Sequence, residues 1–255
     1  MCVIAWNWQP DSATPLVLLS NRDEFYARPT RALHWWEVND KGPGMLGGRD
    51  LQAGGGWLCV NKNGHLAAIT NFRSADVARA DAPSRGELVA KFLQGTRSAQ
   101  EYLEALSESA YTYNPFNLLV FDGQRLMGLE SHHAKIVQLP TGIGGVSNAN
   151  FNTPWPKLAR LQNCLSLQLQ TGSVHVETSL ELLHDTTLVP DRELPQTGVP
   201  LPLERSLSPV FVSMPGYGTR ACSVIQIHKD RVDFAEQTVG ENDPQGTVAF
   251  SFSTP

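Results

Sequence analysis

Cys2 stands directly behind Met1. Cysteine is small enough for the initiator methionine to be trimmed in front of it, which would leave one residue carrying both a thiol and a free α-amine. Their intrinsic pKa values, about 8.5 and about 7.7–8.0, lie close enough for a useful proton exchange near neutrality. Such a residue is a nucleophile with its own base. Position alone favours a buried strand cysteine, so the catalytic reading rests on other residues.

The first of these form the cluster Asn21-Arg22-Asp23-Glu24, which follows the apolar run Leu16-Val-Leu-Leu19 and delivers polar groups of both signs at a strand end. An aspartate there could hold the amine of Cys2, and an arginine could orient a substrate or stabilise a thiolate. Asn71 and Asn148 each end an apolar run. An asparagine amide is a good oxyanion donor because it stabilises developing negative charge without titrating. Arg220, in Gly-Thr-Arg at the start of a strand, adds a late cation. The plain alternatives are turn residues for the asparagines and solvated surface charge for the rest.

Other motifs carry less. Gly42-Pro-Gly44-Met-Leu-Gly47 matches a dinucleotide fingerprint in form, but it lacks the strand before and the helix after that the chemistry needs. Gly54-Gly-Gly56 reads as a tight turn into a strand. No P-loop, His-Glu-x-x-His or Gly-x-Ser-x-Gly occurs. The seven histidines are scattered, and only His34, beside Trp35-Trp36, could line a flat hydrophobic ligand. No metal site is expected.

The chain around these residues has 255 residues, is 41% hydrophobic and 18% charged, and has a net charge of -5. That is an ordinary globular composition, with a single domain over 1–255 expected. The charge gives no case for nucleic acid. The four cysteines lie far apart with no Cys-x-x-Cys, so neither zinc nor a disulfide framework is indicated. No apolar run approaches the roughly 20 residues of a membrane span, and no leader pattern opens the chain, so the expected location is cytoplasmic.

Several runs are apolar on both faces: Leu16–Leu19, Trp57–Val60, Leu66–Thr70 and Asn117–Phe121. Strands of that kind are covered on both sides. Cys2–Trp8 reads as an edge or near-edge strand. Ser84-Arg-Gly-Glu87 predicts a capping box opening a helix, and Ser98–Ser107 predicts a second helix. Further strands follow at 125–130, 135–139 and 142–146. Thr153-Pro154 predicts an N-cap with proline at the first position of an amphipathic helix, and a shorter helix follows at 176–184. Val189–Pro209 reads as a long ordered loop, and strands at 222–227, 232–237 and 247–252 close the chain. Two packed sheets flanked by helices account for this order.

Met1-Cys2, Asn21-Arg-Asp-Glu-Phe-Tyr26 with Arg28-Pro29, Thr70-Asn-Phe72, Arg85-Gly-Glu-Leu-Val89, Ser147-Asn-Ala149, Thr153-Pro-Trp-Pro-Lys157 and Pro215-Gly-Tyr-Gly-Thr-Arg220 together resemble the NRDE family, also called the transport and Golgi organisation 2 family. The resemblance spans essentially the whole chain. Gly56 is a departure, since the family often has threonine there, and it is expected to affect a turn and not the fold. The family is related in fold to the N-terminal nucleophile hydrolases, which implies an α+β fold, a four-layer αββα sandwich. It implies Cys2 as nucleophile, with Arg22, Asp23, Asn148 and Arg220 as further catalytic residues by analogy with penicillin V acylase and bile salt hydrolases. Arg22 matches less well than Asp23 and Asn148, because the arginine–aspartate spacing differs. Asn21, Glu24, Arg28, Asn71 and Arg73 are the expected substrate-binding residues.

Two functions are then open. The first is hydrolysis of a C–N bond in a small amide by Cys2, with no cofactor. The second is a non-catalytic pocket that holds haem or an acyl-coenzyme A, in line with the family's ties to haem movement and lipid handling. Haem needs an axial ligand, and no Cys-x-x-Cys-His or Cys-Pro pair is present. For coenzyme A phosphates, Arg22, Arg28 and Arg73 are available.

Overall fold

The computed structural model describes residues 2–36, 44–74, 78–241 and 244–255. Met1 and the Gly42-Pro43 part of the glycine motif lie outside them. The chain forms β1 (Cys2–Trp8), β2 (Leu16–Phe25), β3 (Thr30–Trp35), β4 (Met45–Asp50), β5 (Leu58–Asn61), β6 (Leu66–Asn71), α1 (Gly86–Gln94), α2 (Ala99–Ser107), β7 (Phe116–Phe121), β8 (Leu126–Glu130), β9 (Lys135–Gln138), β10 (Gly142–Val146), α3 (Pro156–Gln170), α4 (Val176–Leu183), α5 (Leu201–Ser206), β11 (Ser213–Met214), β12 (Tyr217–Ile227), β13 (Arg231–Val239) and β14 (Pro244–Ser253). One sheet runs β10-β1-β2-β12-β13-β14, with β11 on β12, and the other runs β3 to β9 in sequence order.

Strand alternation builds the layers. In β1 and β2, Ile4, Trp6, Trp8, Leu16 and Leu18 enter a core between the two sheets, joined by Leu58, Val60 and Leu119 from the opposite sheet. Their neighbours Val3, Ala5, Val17 and Leu19 point the other way, onto Leu158, Leu161 and Leu165 of α3 and Leu180 and Leu183 of α4. A third core joins the second sheet to Leu88, Val89 and Phe92 of α1 and Leu103 of α2. The double-faced apolar runs therefore lie in an αββα sandwich, as expected.

The glycine-rich β10 has a steric cause. Gly144 pairs with Trp6, and a Cβ on it would fall 2.6 Å from the indole; one on Gly145 would fall 2.4 Å from Leu158. Side chains there would push β10 off β1 on one face and α3 off the sheet on the other. β10 matters because it leads directly into Ser147-Asn148.

Three local expectations fail. Ser84–Glu87 makes no capping box: Arg85 is the helical N-cap, with no side-chain cap hydrogen bond, and Glu87 bonds Lys91 and Tyr113 instead. The capping box forms at α2, between Ser98 and Glu101. α3 starts at Pro156, two residues later than Pro154, with Trp155 as N-cap. The 189–209 loop contains α5.

Candidate active site

β2 does not end before the charged cluster. It runs to Phe25, paired on one side with β1 and on the other with β12. Cys2 is opposite Arg22, and Thr219 is opposite Asp23. Alternation then divides the cluster between the two faces of the sheet.

Asp23 and Asn21 face the helical layer. Thr219 Oγ1 donates to Asp23 Oδ1 at 2.8 Å, and Lys157, in the first turn of α3, places Nζ 3.9 Å from Oδ2. Both residues are buried, at 1% and 2% exposure. Burial pushes the Asp23 carboxyl up and the Lys157 ammonium down; each charge opposes the other's shift. Asn21, expected to bind substrate, is not among the residues that line the Cys2 cavity described below. Wholly buried, its Nδ2 donates to the carbonyls of Leu183 and Val210 at 2.7 and 3.0 Å, tying β2 to α4 and the chain beyond it.

Arg22 and Glu24 face the other way. The Arg22 guanidinium lies 4.3 Å from the Trp57 ring centroid and 3.8 Å from the Glu24 carboxylate. It is 6% exposed, and its Nη1 is buried without a hydrogen-bond partner among the described residues. Burial pushes the Cys2 thiol up, while the Arg22 charge and a hydrogen bond from the Asp23 backbone pull it back.

Cys2, Arg22, Asp23 and Glu24 line a cavity of about 450 Å³ with Arg28, Asp50, Trp57, Asn71, Arg85 and Asn114. Arg28 donates through Nε and Nη2 to Asp50 Oδ2 at 2.8 and 2.6 Å, a contact that holds its pKa above the ordinary value. Arg85 enters just ahead of α1, donating Nη1 to the Pro115 carbonyl at 3.1 Å. Burial pushes its pKa down, against the charges of Cys2 and Glu24. The Gly55-Gly56 turn makes one wall by pressing on Gly86, where a Cβ on Gly55 would come within 2.5 Å of backbone.

Three expected residues are not among those that line this cavity. Asn148 is wholly buried, and its Nδ2 donates to the Asn71 carbonyl at 2.8 Å. It borders a second cavity of about 500 Å³, with Arg73 and Trp155, and not the one lined by Cys2. It supports Asn71, which does reach the Cys2 cavity. Arg73 is buried in an ion pair with Glu204 and stacks 4.7 Å from the Trp155 centroid; its backbone N–H donates to Asn148 O at 2.7 Å. Arg220 occupies a bulge, the residue left over between the pairs Thr219–Asp23 and Ala221–Arg22. Its Nη1 donates to the carbonyls of Phe25, Tyr26 and Arg28 at 2.9–3.1 Å, so it holds the chain after β2.

Lys157, Arg85, Trp57 and Asp50 were not foreseen. Lys157 had one legible signal: a lysine in the first turn of a helix opposes the macrodipole and calls for a local anion. His34 stacks on Trp36, which joins the core under α1, whereas Trp35 points away and packs on Phe252, so the three rings do not share one face.

The profile of the family described as "Transport and Golgi organisation 2" matches residues 1–241. The chain belongs to this family. Its relatives include the Transport and Golgi organization protein 2 homologs of Bos taurus, 34% identical over 96% of this chain and 95% of that protein, and of Homo sapiens, 31% identical over 95% of each. The family fold is similar to that of a mutant conjugated bile acid hydrolase from Clostridium perfringens, with TM-score 0.56 and 11% identity over 98% of this chain and 92% of that one. A second variant of that hydrolase gives 0.51 at 10% identity, over 98% and 97%. The fold of this family member is thus that of the N-terminal nucleophile hydrolases. Among the described residues, no helix is long and apolar enough to cross a membrane.

Proposed function

We propose that this protein is a cysteine amidohydrolase that cleaves the C–N bond of a small polar amide. The observation that carries the reading is the β1–β2 register, which sets Cys2 against Arg22 and beside Asp23 at one wall of a polar cavity. The fold's likeness to a conjugated bile acid hydrolase supports it as analogy.

With Met1 removed, the Cys2 α-amine takes the thiol proton and Asp23 holds the resulting ammonium. The thiolate attacks the amide carbonyl, and the negative oxygen is stabilised by donors on the cavity wall, where Asn71 is placed and Asn148 fixes it. The ammonium passes its proton to the leaving nitrogen, the C–N bond breaks and a thioester remains. Water, deprotonated by the same amine, hydrolyses the thioester and restores Cys2.

Intact mass of protein made in its native host, combined with turnover of an amide panel, tests this. Met1 should be absent, and Cys2→Ala should lower turnover by about a thousandfold or more. Full activity in Cys2→Ala, or Met1 retained on active protein, would sink the mechanism. Saturable haem or palmitoyl-coenzyme A binding without any amide turnover would favour the binding reading. Among the described lining residues, Cys2 is the one side chain of a type that ligates haem iron, with no histidine, tyrosine or methionine beside it.

A further inference from the structure

The cations around Cys2 are unevenly matched. Arg28 is committed to Asp50 through two hydrogen bonds, and Asp23 has Lys157 behind it. That leaves Arg22 and Arg85 facing the cavity with Glu24 as their carboxylate, 3.8 Å from Arg22 and also 3.8 Å from Arg28, with its Oε1 accepting the Phe25 N–H. With Asp23 assigned to Lys157, the described residues leave Arg22 and Arg85 one carboxylate short.

Arg22 also has a donor in hand. Its Nη1 is buried and has no hydrogen-bond partner among the described residues, and the guanidinium is packed 4.3 Å from the Trp57 ring centroid. A buried donor left unmade costs about 1–3 kcal/mol, more when charged, so a ligand that accepts from it gains accordingly. The planar fork of a guanidinium matches a carboxylate.

We propose that the substrate carries a carboxylate close to its scissile amide, as in an N-acyl amino acid, and that Arg22 and Arg85 together form its recognition site. This rests on the Cys2 cavity being the substrate site. A thiolate on Cys2 does not remove the need for an anion, because it forms together with the α-ammonium and the pair adds no net charge.

Calorimetric titration of the Cys2→Ala protein separates binding from chemistry. The probes are N-acetylglycine and N-benzoylglycine, each beside its uncharged carboxamide. The carboxylates should bind about tenfold or more tighter than the carboxamides, and a rise from about 0.05 to about 0.5 M salt should weaken only the carboxylates. Adding Arg85→Met should cut the preference to about threefold or less, while Arg85→Lys, which keeps the charge, should retain part of it. Melting curves of each variant report whether it folds. Equal affinity for acid and amide, no saturable binding of either acid, or a preference that survives both Arg85→Met and Arg22→Met overturns the site. Carboxylate binding by Cys2→Ala with no amide turnover by the unsubstituted protein would leave the anion site standing and remove the hydrolase. Turnover of neutral amides with no carboxylate preference would do the reverse.

Discussion

Lys157 and Asp23 face each other at 3.9 Å, each almost sealed from water, at the junction of α3 and the central strand β2. Removing one partner strands the other as an isolated buried charge, which costs about 3–5 kcal/mol. Lys157→Met should therefore destabilise the fold by about that much in urea titration. Asp23→Asn combined with Lys157→Met should cost less than the sum of the two singles by about 1 kcal/mol or more. Strict additivity would show that the two residues act separately.

Glu236, on β13, gives a pH dependence. It is wholly buried, accepting from the Leu33 N–H at 2.9 Å and from Ser223 Oγ at 3.2 Å, and burial pushes its carboxyl up to about 7. The pKa is raised, so the neutral form is the one the fold favours. Its contribution is complete below the unfolded value, about 4.3, and is lost as pH rises through about 7. Glu236→Gln keeps an acceptor for Leu33 without the charge. Relative to the unsubstituted protein it should gain up to about 3 kcal/mol at pH 8 and nothing near pH 4. A gain independent of pH would refute the assignment.

Arg220 spends one nitrogen on three carbonyls of the chain that leaves β2. A lysine cannot reproduce that planar geometry. Arg220→Lys and Arg220→Ala should both lose about 1–3 kcal/mol of stability, with the melting temperature as readout. If Arg220 touched substrate instead, KM would rise while the melting temperature held.

The four thiols should differ in reactivity. Cys59 and Cys222 are wholly buried, and burial pushes both thiols far up; Cys2 and Cys164 are partly exposed. Iodoacetamide followed by peptide mass mapping should label Cys2 and Cys164 and spare the other two. Of the two labels, only the one on Cys2 should abolish turnover. Activity that survives full labelling of Cys2 would exclude it as the nucleophile.

The layers were legible because a strand buried on both faces needs apolar residues at consecutive positions, as in Leu16–Leu19, and this pattern needs no knowledge of partners. The Asn21–Glu24 cluster was found but misread as a strand end. Polar residues normally mark the end of a strand, and only the supply of partners from β12, α3 and α4 lets four of them stay inside one. Arg85 was hidden by the apparent capping box around it, a local pattern overridden when the side chain turned toward Pro115. Asn148 lies outside the Cys2 cavity and Asn71 lines it for a similar reason: residue type suits both to donate to an oxyanion, and only the fold decides which one reaches the cavity.

The two neighbours of β2 arrive at very different times during synthesis. β1 pairs with it at once, but the other flank waits for β12, and the wall behind Asp23 waits for α3. A ribosome must therefore have released nearly nine-tenths of the polypeptide before Thr219 can reach Asp23. Until then Asp23 lacks the hydroxyl that holds its carboxylate, so the wall of the sheet beside Cys2 is among the last parts of the fold to be completed.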